Sequence, residues 1–154
     1  MKYPEYLLAA KRHNEACRVL QEKIEYCLSN GLEQGFQFQY LVMSLYYLSG
    51  YIVECSLKYK ILDLLGFDIT VNVDKSGCNG SNIIKYNEIA THSFDNLQNR
   101  LSSLISDLSY ESEDVQIELL LNGWDPSIRY KETAVNYPEV KELYLHTINF
   151  LRKM

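Results

Sequence analysis

The sequence predicts an all-α fold, a bundle of antiparallel helices, on three observations. Apolar residues recur at helical spacing from Phe38 to Leu65, about as long a run as one helix needs to cross a domain. Shorter segments with the same period flank it, most of them opened by a capping residue or a proline. Only Ile69, Val71 and Val73 alternate with polar neighbours, so a single short extended piece is expected. With 154 residues, 47% hydrophobic and 23% charged, the chain is long enough for one core and short for two, and a single domain over 1–154 is expected.

Pro4 suits the first turn of a helix, and from there to Leu28 the residues Ala9, Ala16, Leu20, Ile24 and Cys27 share one face. Lys11, Glu15, Arg18, Glu22 and Glu25 form the solvated face. Ser29-Asn30-Gly31 ends this helix, because Asn and Gly accept the left-handed conformation of a helix terminus. The short connection from Leu32 to Gln37 makes the first two helices antiparallel neighbours.

The Phe38–Leu65 helix is the expected centre. Leu41, Leu45, Leu48, Ile52, Cys55, Tyr59 and Leu62 form one apolar row, and Val42, Tyr46, Ser49, Val53, Leu57 and Ile61 form a second beside it. A third row, Tyr47, Tyr51, Glu54 and Lys58, mixes rings with an acid and a base. Gly50 lies mid-helix, where it costs about 1 kcal/mol in propensity, and close approach of a neighbouring helix is the expected compensation. Glu54, Lys58, Lys60 and Asp63 argue against a membrane span, since ionisable groups are costly in hydrocarbon.

A long loop is expected from Gly66 to Thr91, with a mobile surface tip at Asp74–Ser81 that could act as a lid. The tip lacks the lysine and hydroxyl of a P-loop. Thr91-His92-Ser93 offers N-caps for a third helix carrying Phe94, Leu97, Leu101, Leu104, Ile105 and Leu108. Ser112-Glu113-Asp114 opens a fourth, with Val115, Leu119 and Leu120 inward, and Asn122-Gly123 ends it. Trp124–Tyr130 is expected to be an irregular aromatic connector, because Asp125 precedes a proline. Pro138 opens a fifth helix with Val140, Leu143, Tyr144, Thr147, Ile148 and Leu151 inward.

Composition narrows the function classes. The formal charge of -5, from 15 basic and 20 acidic residues, gives the whole chain no long-range pull on nucleic acid, though a local basic pocket is compatible with it. Cys17, Cys27, Cys55 and Cys78 mostly fall on apolar faces, and Met1–Glu5 leads into a helix without a secretory segment, so reduced thiols in a cytoplasm are expected. His13 and Cys17 stand four apart, but two ligands do not make a site, and neither a metal nor a cofactor is expected. No Ser-His-Asp order or nucleotide-binding glycine fingerprint supports an ordinary hydrolase or kinase.

The order AKRHNEA, YLSGYIVECSLKYKIL, THSFDNLQNRL and then W-x-x-x-x-RY at Trp124 to Tyr130 resembles the HEPN domains, the higher eukaryote and prokaryote nucleotide-binding family. The most specific part is GYIVECSLK, similar to the G-Y-x-x-E-x-x-L-K helix of small prokaryotic HEPN proteins, and the likeness covers nearly all of the chain except the Gly66–Ala90 loop. The resemblance implies an antiparallel bundle of four or five helices that pairs into a homodimer. It also implies either a ribonuclease toxin or a non-catalytic module, often beside a nucleotidyltransferase partner in a toxin–antitoxin or defence pair. The ribonuclease members carry Arg, four to six residues, then His. Here Arg12 directly precedes His13, Arg100 follows His92, and Arg129 is too far before His146, so the pattern is missing and the chain leans away from being an enzyme.

The candidate ligand-binding residues are Tyr47, Tyr51, Glu54, Lys58, His92, Trp124, Arg129 and Tyr130. A polar row on a core helix needs partners, and Arg129 is the expected partner of Glu54, with Trp124 and Tyr130 shielding the pair. A purely structural ion-pair network is the competing reading. His92 either bonds a backbone carbonyl at its helix start or joins Lys58 and Arg129 around a phosphate or carboxylate. Three functions follow. The first is a non-catalytic module that binds a nucleotide, an RNA end or a protein partner. The second is a divergent ribonuclease, with His92 exchanging the proton and Arg129 stabilising charge. The third is a structural dimerisation subunit.

Overall fold

In the computed structural model, which describes residues 1–131 and 134–154, the chain is an all-helical bundle. Its helices are α1 (Pro4–Ser29), α2 (Phe36–Leu64), α3 (Lys75–Ser81), α4 (Tyr86–Ile89), α5 (Phe94–Ser102), α6 (Val115–Gly123) and α7 (Tyr137–Leu151), with a 3₁₀ turn at Pro126–Tyr130 before α7. α2 is the hub: it packs against α1, α5, α7 and the 3₁₀ turn, and α7 in turn meets α1 and α6. Every residue of the second apolar row of α2, from Val42 to Ile61, is buried, whereas Leu41, Leu48 and Tyr59 of the first row keep partial exposure. No helix among the described residues is long and apolar enough to cross a membrane.

The buried face of α1 is Ala10, Cys17, Ile24 and Cys27, one position round from the expected Ala9, Ala16 and Leu20. Ala16 is exposed and His13 half-buried. Ala10 and Cys17, small residues seven apart, face α2, where the Cys17 thiol sits 4.0 Å from both the Leu45 carbonyl and the Ser49 hydroxyl. Burial pushes that thiol up to about 12.

The Gly66–Thr91 segment is more ordered than its composition suggests. Asp74 caps α3 by accepting from the Gly77 amide at 2.8 Å, and Cys78 is fully buried, so the expected surface tip is a helix pinned to the core. Gly77 is required because a Cβ there would overlap the Asn72 carbonyl, a packing reason that reads in sequence as flexibility. Residues Ile69 and Thr70 form a turn, since Asp68 accepts from the Thr70 amide and hydroxyl, each at 2.7 Å. Instead of the expected extended piece there is one isolated bridge between Lys2 and Asn72.

α5 stops at Ser102, short of the expected Leu108. The buried Gln98 amide then ties the returning chain down, donating to the Leu108 carbonyl at 3.0 Å and accepting from the Tyr110 amide at 3.2 Å. On α6 the Asp114 cap is present, but Val115 and Leu119 are exposed and Leu121 is the buried residue. The segment VQIELLL is apolar nearly all round, so periodicity could not choose its inward face. The Trp124–Tyr130 connector is in part regular: Asp125 accepts from the Ser127 amide at 2.7 Å and opens the 3₁₀ turn.

Candidate functional site

The third row of α2 emerges from the bundle in two parts. Its C-terminal part is a buried charge cluster, in which Lys58 Nζ donates to Glu54 Oε1 at 2.8 Å with side-chain exposures of 6% and 5%. Glu54 Oε2 lies 2.8 Å from His92 Nδ1, so both carboxylate oxygens are engaged. A carboxylate oxygen only accepts, so His92 donates this bond from Nδ1, and Nε2 is the ring nitrogen outside the cluster. The segment Thr91–Ser93 delivers that ring: the Thr91 hydroxyl accepts from the Ser93 amide at 3.0 Å, and the Ser93 hydroxyl caps α5 by accepting from the Asn96 amide at 3.3 Å. The exposed edge of His92 faces a cleft of about 200 Å³ that Asp95, Tyr110, Asn122 and Asp125 also line.

The N-terminal part centres on Tyr47. Its hydroxyl accepts from Arg129 Nη1 at 3.0 Å and donates to the Tyr51 hydroxyl at 3.3 Å, and its carbonyl accepts from the Trp124 indole N–H at 3.0 Å. Trp124 stacks on Phe94 with centroids 4.8 Å apart and meets Tyr51 edge-on at 5.1 Å. The indole fits because residue 50 is glycine: a methyl there would overlap it. The compensation for Gly50 is thus a side chain from the connector, not the expected neighbouring helix. Burial first, then the Tyr47 hydroxyl, pushes the Tyr51 phenol well above its ordinary range, so it stays protonated.

The expected pairing of Arg129 with Glu54 does not form; His92 and Lys58 take the carboxylate instead. Tyr47 and Glu54 are seven residues apart, about 10 Å along the helix, and the 3₁₀ turn sets Arg129 beside the earlier of the two. His92 and Arg129 therefore stand at different ends of the row. Tyr130 lies against the Arg129 guanidinium at 4.6 Å from its ring centroid, not over Glu54.

Sequence reasoning missed a groove of about 770 Å³ between the start of α2 and the 3₁₀ turn. Phe36, Tyr40, Met43 and Tyr47 line one wall, and Arg129, Tyr130 and Lys131 the other. Phe36, Tyr40 and Tyr130 are 82%, 68% and 77% exposed. The signal was available: Phe36, Tyr40, Met43 and Tyr47 recur at steps of four, three and four, a fourth row on α2 that starts two residues before the expected helix.

His13 and Cys17, four residues apart on α1, have different surroundings. His13 stacks on Tyr51 at 5.4 Å while Cys17 faces Leu45 and Ser49. Among the described residues no group of three or more His, Cys, Asp or Glu is placed to hold a metal ion. Burial lowers the His13 pKa below its ordinary 6.5, against a smaller opposing pull from Glu54. The unfolded chain then binds more protons just below pH 6.5, so the stability from neutral His13 is full above that pH and falls as pH drops through it. Urea midpoints compared between pH 7.5 and 5.5 should fall less in His13→Gln than in the wild type. Equal slopes would contradict this.

Comparison with protein-family models, with curated proteins and with solved structures finds no match for this chain.

Proposed function

We propose that this chain is a non-catalytic, HEPN-like helical module that binds a nucleotide or an RNA end in the groove between α2 and the 3₁₀ turn. The observation that carries the reading is the exposed Arg129 guanidinium, held by Tyr47 at the mouth of a groove walled by exposed aromatic rings. Among the described residues, the charges lining that groove, Arg129 and Lys131, are both positive in a chain of net charge -5. Rings that stack on bases beside cations that meet phosphate are the recurring means of holding single-stranded nucleic acid. Tyr51 and Trp124 act behind the groove by fixing Tyr47, while the Glu54–Lys58–His92 cluster ties α2 to the start of α5.

The module reading extends to a nucleotidyltransferase-type protein partner in a toxin–antitoxin or defence pair, in a prokaryotic cytoplasm. The HEPN resemblance motivates that extension, and four free, buried thiols agree with a reducing compartment. A second reading rests on the same rings: a structural subunit whose groove is covered by a second copy, as a homodimer.

Anisotropy with a fluorescent oligoribonucleotide tests the first reading. Binding should weaken about tenfold or more in Arg129→Gln, the scale of a hydrogen bond to a charged group, and should weaken with added salt. No cleavage of structured or single-stranded RNA should accompany it, because His92 and Arg129 are held apart. Cleavage that disappears in a His92→Ala, Arg129→Ala double variant would instead make the chain a divergent ribonuclease. Absent RNA binding together with a dimeric mass by light scattering would favour the structural subunit.

A further inference from the structure

Two cavities lie side by side where α3, α4 and α5 meet, and they share no lining residue with the aromatic groove. Their volumes are about 430 and 370 Å³, within the usual range for small-ligand sites. Glu88 and Arg100 line both, so this pair stands on the ridge between them.

The ridge is a loose ion pair. Arg100 Nε is buried and has no hydrogen-bond partner, and Glu88 Oε2 lies 3.6 Å away, beyond hydrogen-bond reach. Arg100 Nη1 reaches only the Ser103 hydroxyl, at 3.4 Å. The Arg100 side chain is 30% exposed but its Nε–H is buried and unused, and an oxyanion with two oxygens that accept from Nε and Nη together would satisfy it. Lys85 lines the larger cavity and adds a second cation to the same end.

The rest of the lining is neutral and rich in hydrogen-bonding groups. Asn79 and Asn82 line the larger cavity, and Asn87, Asn96 and Asn99 line the smaller. Each amide presents a donor and an acceptor, the combination that matches a run of hydroxyls. No aromatic ring lines either cavity, so neither offers a stacking surface for a base.

We propose that the two cavities form one binding site for a small sugar phosphate. Its phosphate lies between Arg100 and Lys85 in place of the Glu88 carboxylate, and its hydroxyls lie along the asparagines. Glu88 is then a competitor that holds Arg100 in the empty site and yields to the ligand. A purely structural Glu88–Arg100 tie between α4 and α5 predicts the opposite effect of removing the acid.

Isothermal titration of the full chain with glucose 6-phosphate, glucose and inorganic phosphate tests this. Glucose 6-phosphate should bind saturably, inorganic phosphate more weakly, and glucose without detectable heat. Arg100→Gln should weaken the binding about tenfold or more, and Lys85→Gln should weaken it too, which keeps the test open if the first variant does not fold. Glu88→Gln should strengthen binding severalfold. The proposal is overturned if glucose 6-phosphate gives no saturable heat, if inorganic phosphate binds as tightly as the ester, if a folded Arg100→Gln or Lys85→Gln binds like the wild type, or if Glu88→Gln weakens binding.

Discussion

Glu54→Ala should destabilise the protein by about 3–5 kcal/mol, the largest effect expected of any single side chain outside the apolar core. The substitution leaves Lys58, at 6% side-chain exposure, without the carboxylate that meets it at 2.8 Å. It also frees His92, whose Nδ1 would lose its partner. Lys58→Met in the same background should recover much of the loss, because two apolar residues cost far less there than one unpaired charge. Urea denaturation of the single and double variants measures both effects. A loss below about 1 kcal/mol, the scale of an exposed pair, would mean that water reaches the cluster.

Gly50→Ala should also destabilise, although alanine is the better helix former. Propensity favours the substitution by about 1 kcal/mol, but the methyl would occupy the place of the Trp124 indole. Forcing a ring out of a packed site costs about 1–3 kcal/mol, and here the indole bond to the Tyr47 carbonyl goes with it, at about a further 1 kcal/mol. A net loss of about 2 kcal/mol is the expected balance. The displaced tryptophan should shift its emission towards that of an exposed indole, and RNA binding should fall with it, because the 3₁₀ turn that carries Arg129 follows directly. Unchanged emission would show that the ring is seated elsewhere.

What could be read from the chain was whatever periodicity controls. The buried row from Val42 to Ile61 and the caps at Ser93 and Asp114 follow from side chains acting within one helix. The misreadings arose where a distant contact decides. The partner of Glu54 is chosen by how far along α2 the connector lands, which no local pattern encodes. Gly77 looks flexible in sequence and is in fact required by the Asn72 carbonyl. Val115 and Leu119 face outward because a helix of nine residues, apolar nearly all round, leaves its phase to packing. The aromatic groove was half legible: Phe36 and Tyr40 share a row with Tyr47, but only the fold brings Arg129, Tyr130 and Lys131 across from them.

The central claim is that the polar row of α2 is divided, with the buried Glu54–Lys58 pair and the exposed His92 that bonds it at one end and a ligand-facing Arg129 at the other. Amide and side-chain NMR shifts of the labelled protein, followed during titration with a short oligoribonucleotide, test this division most directly. The account predicts saturable shifts at Arg129 Nε, at the Lys131 amide and at the Tyr40 amide, with the His92 ring resonances unmoved. Shifts centred on His92 and its cleft, with Arg129 silent, would contradict it.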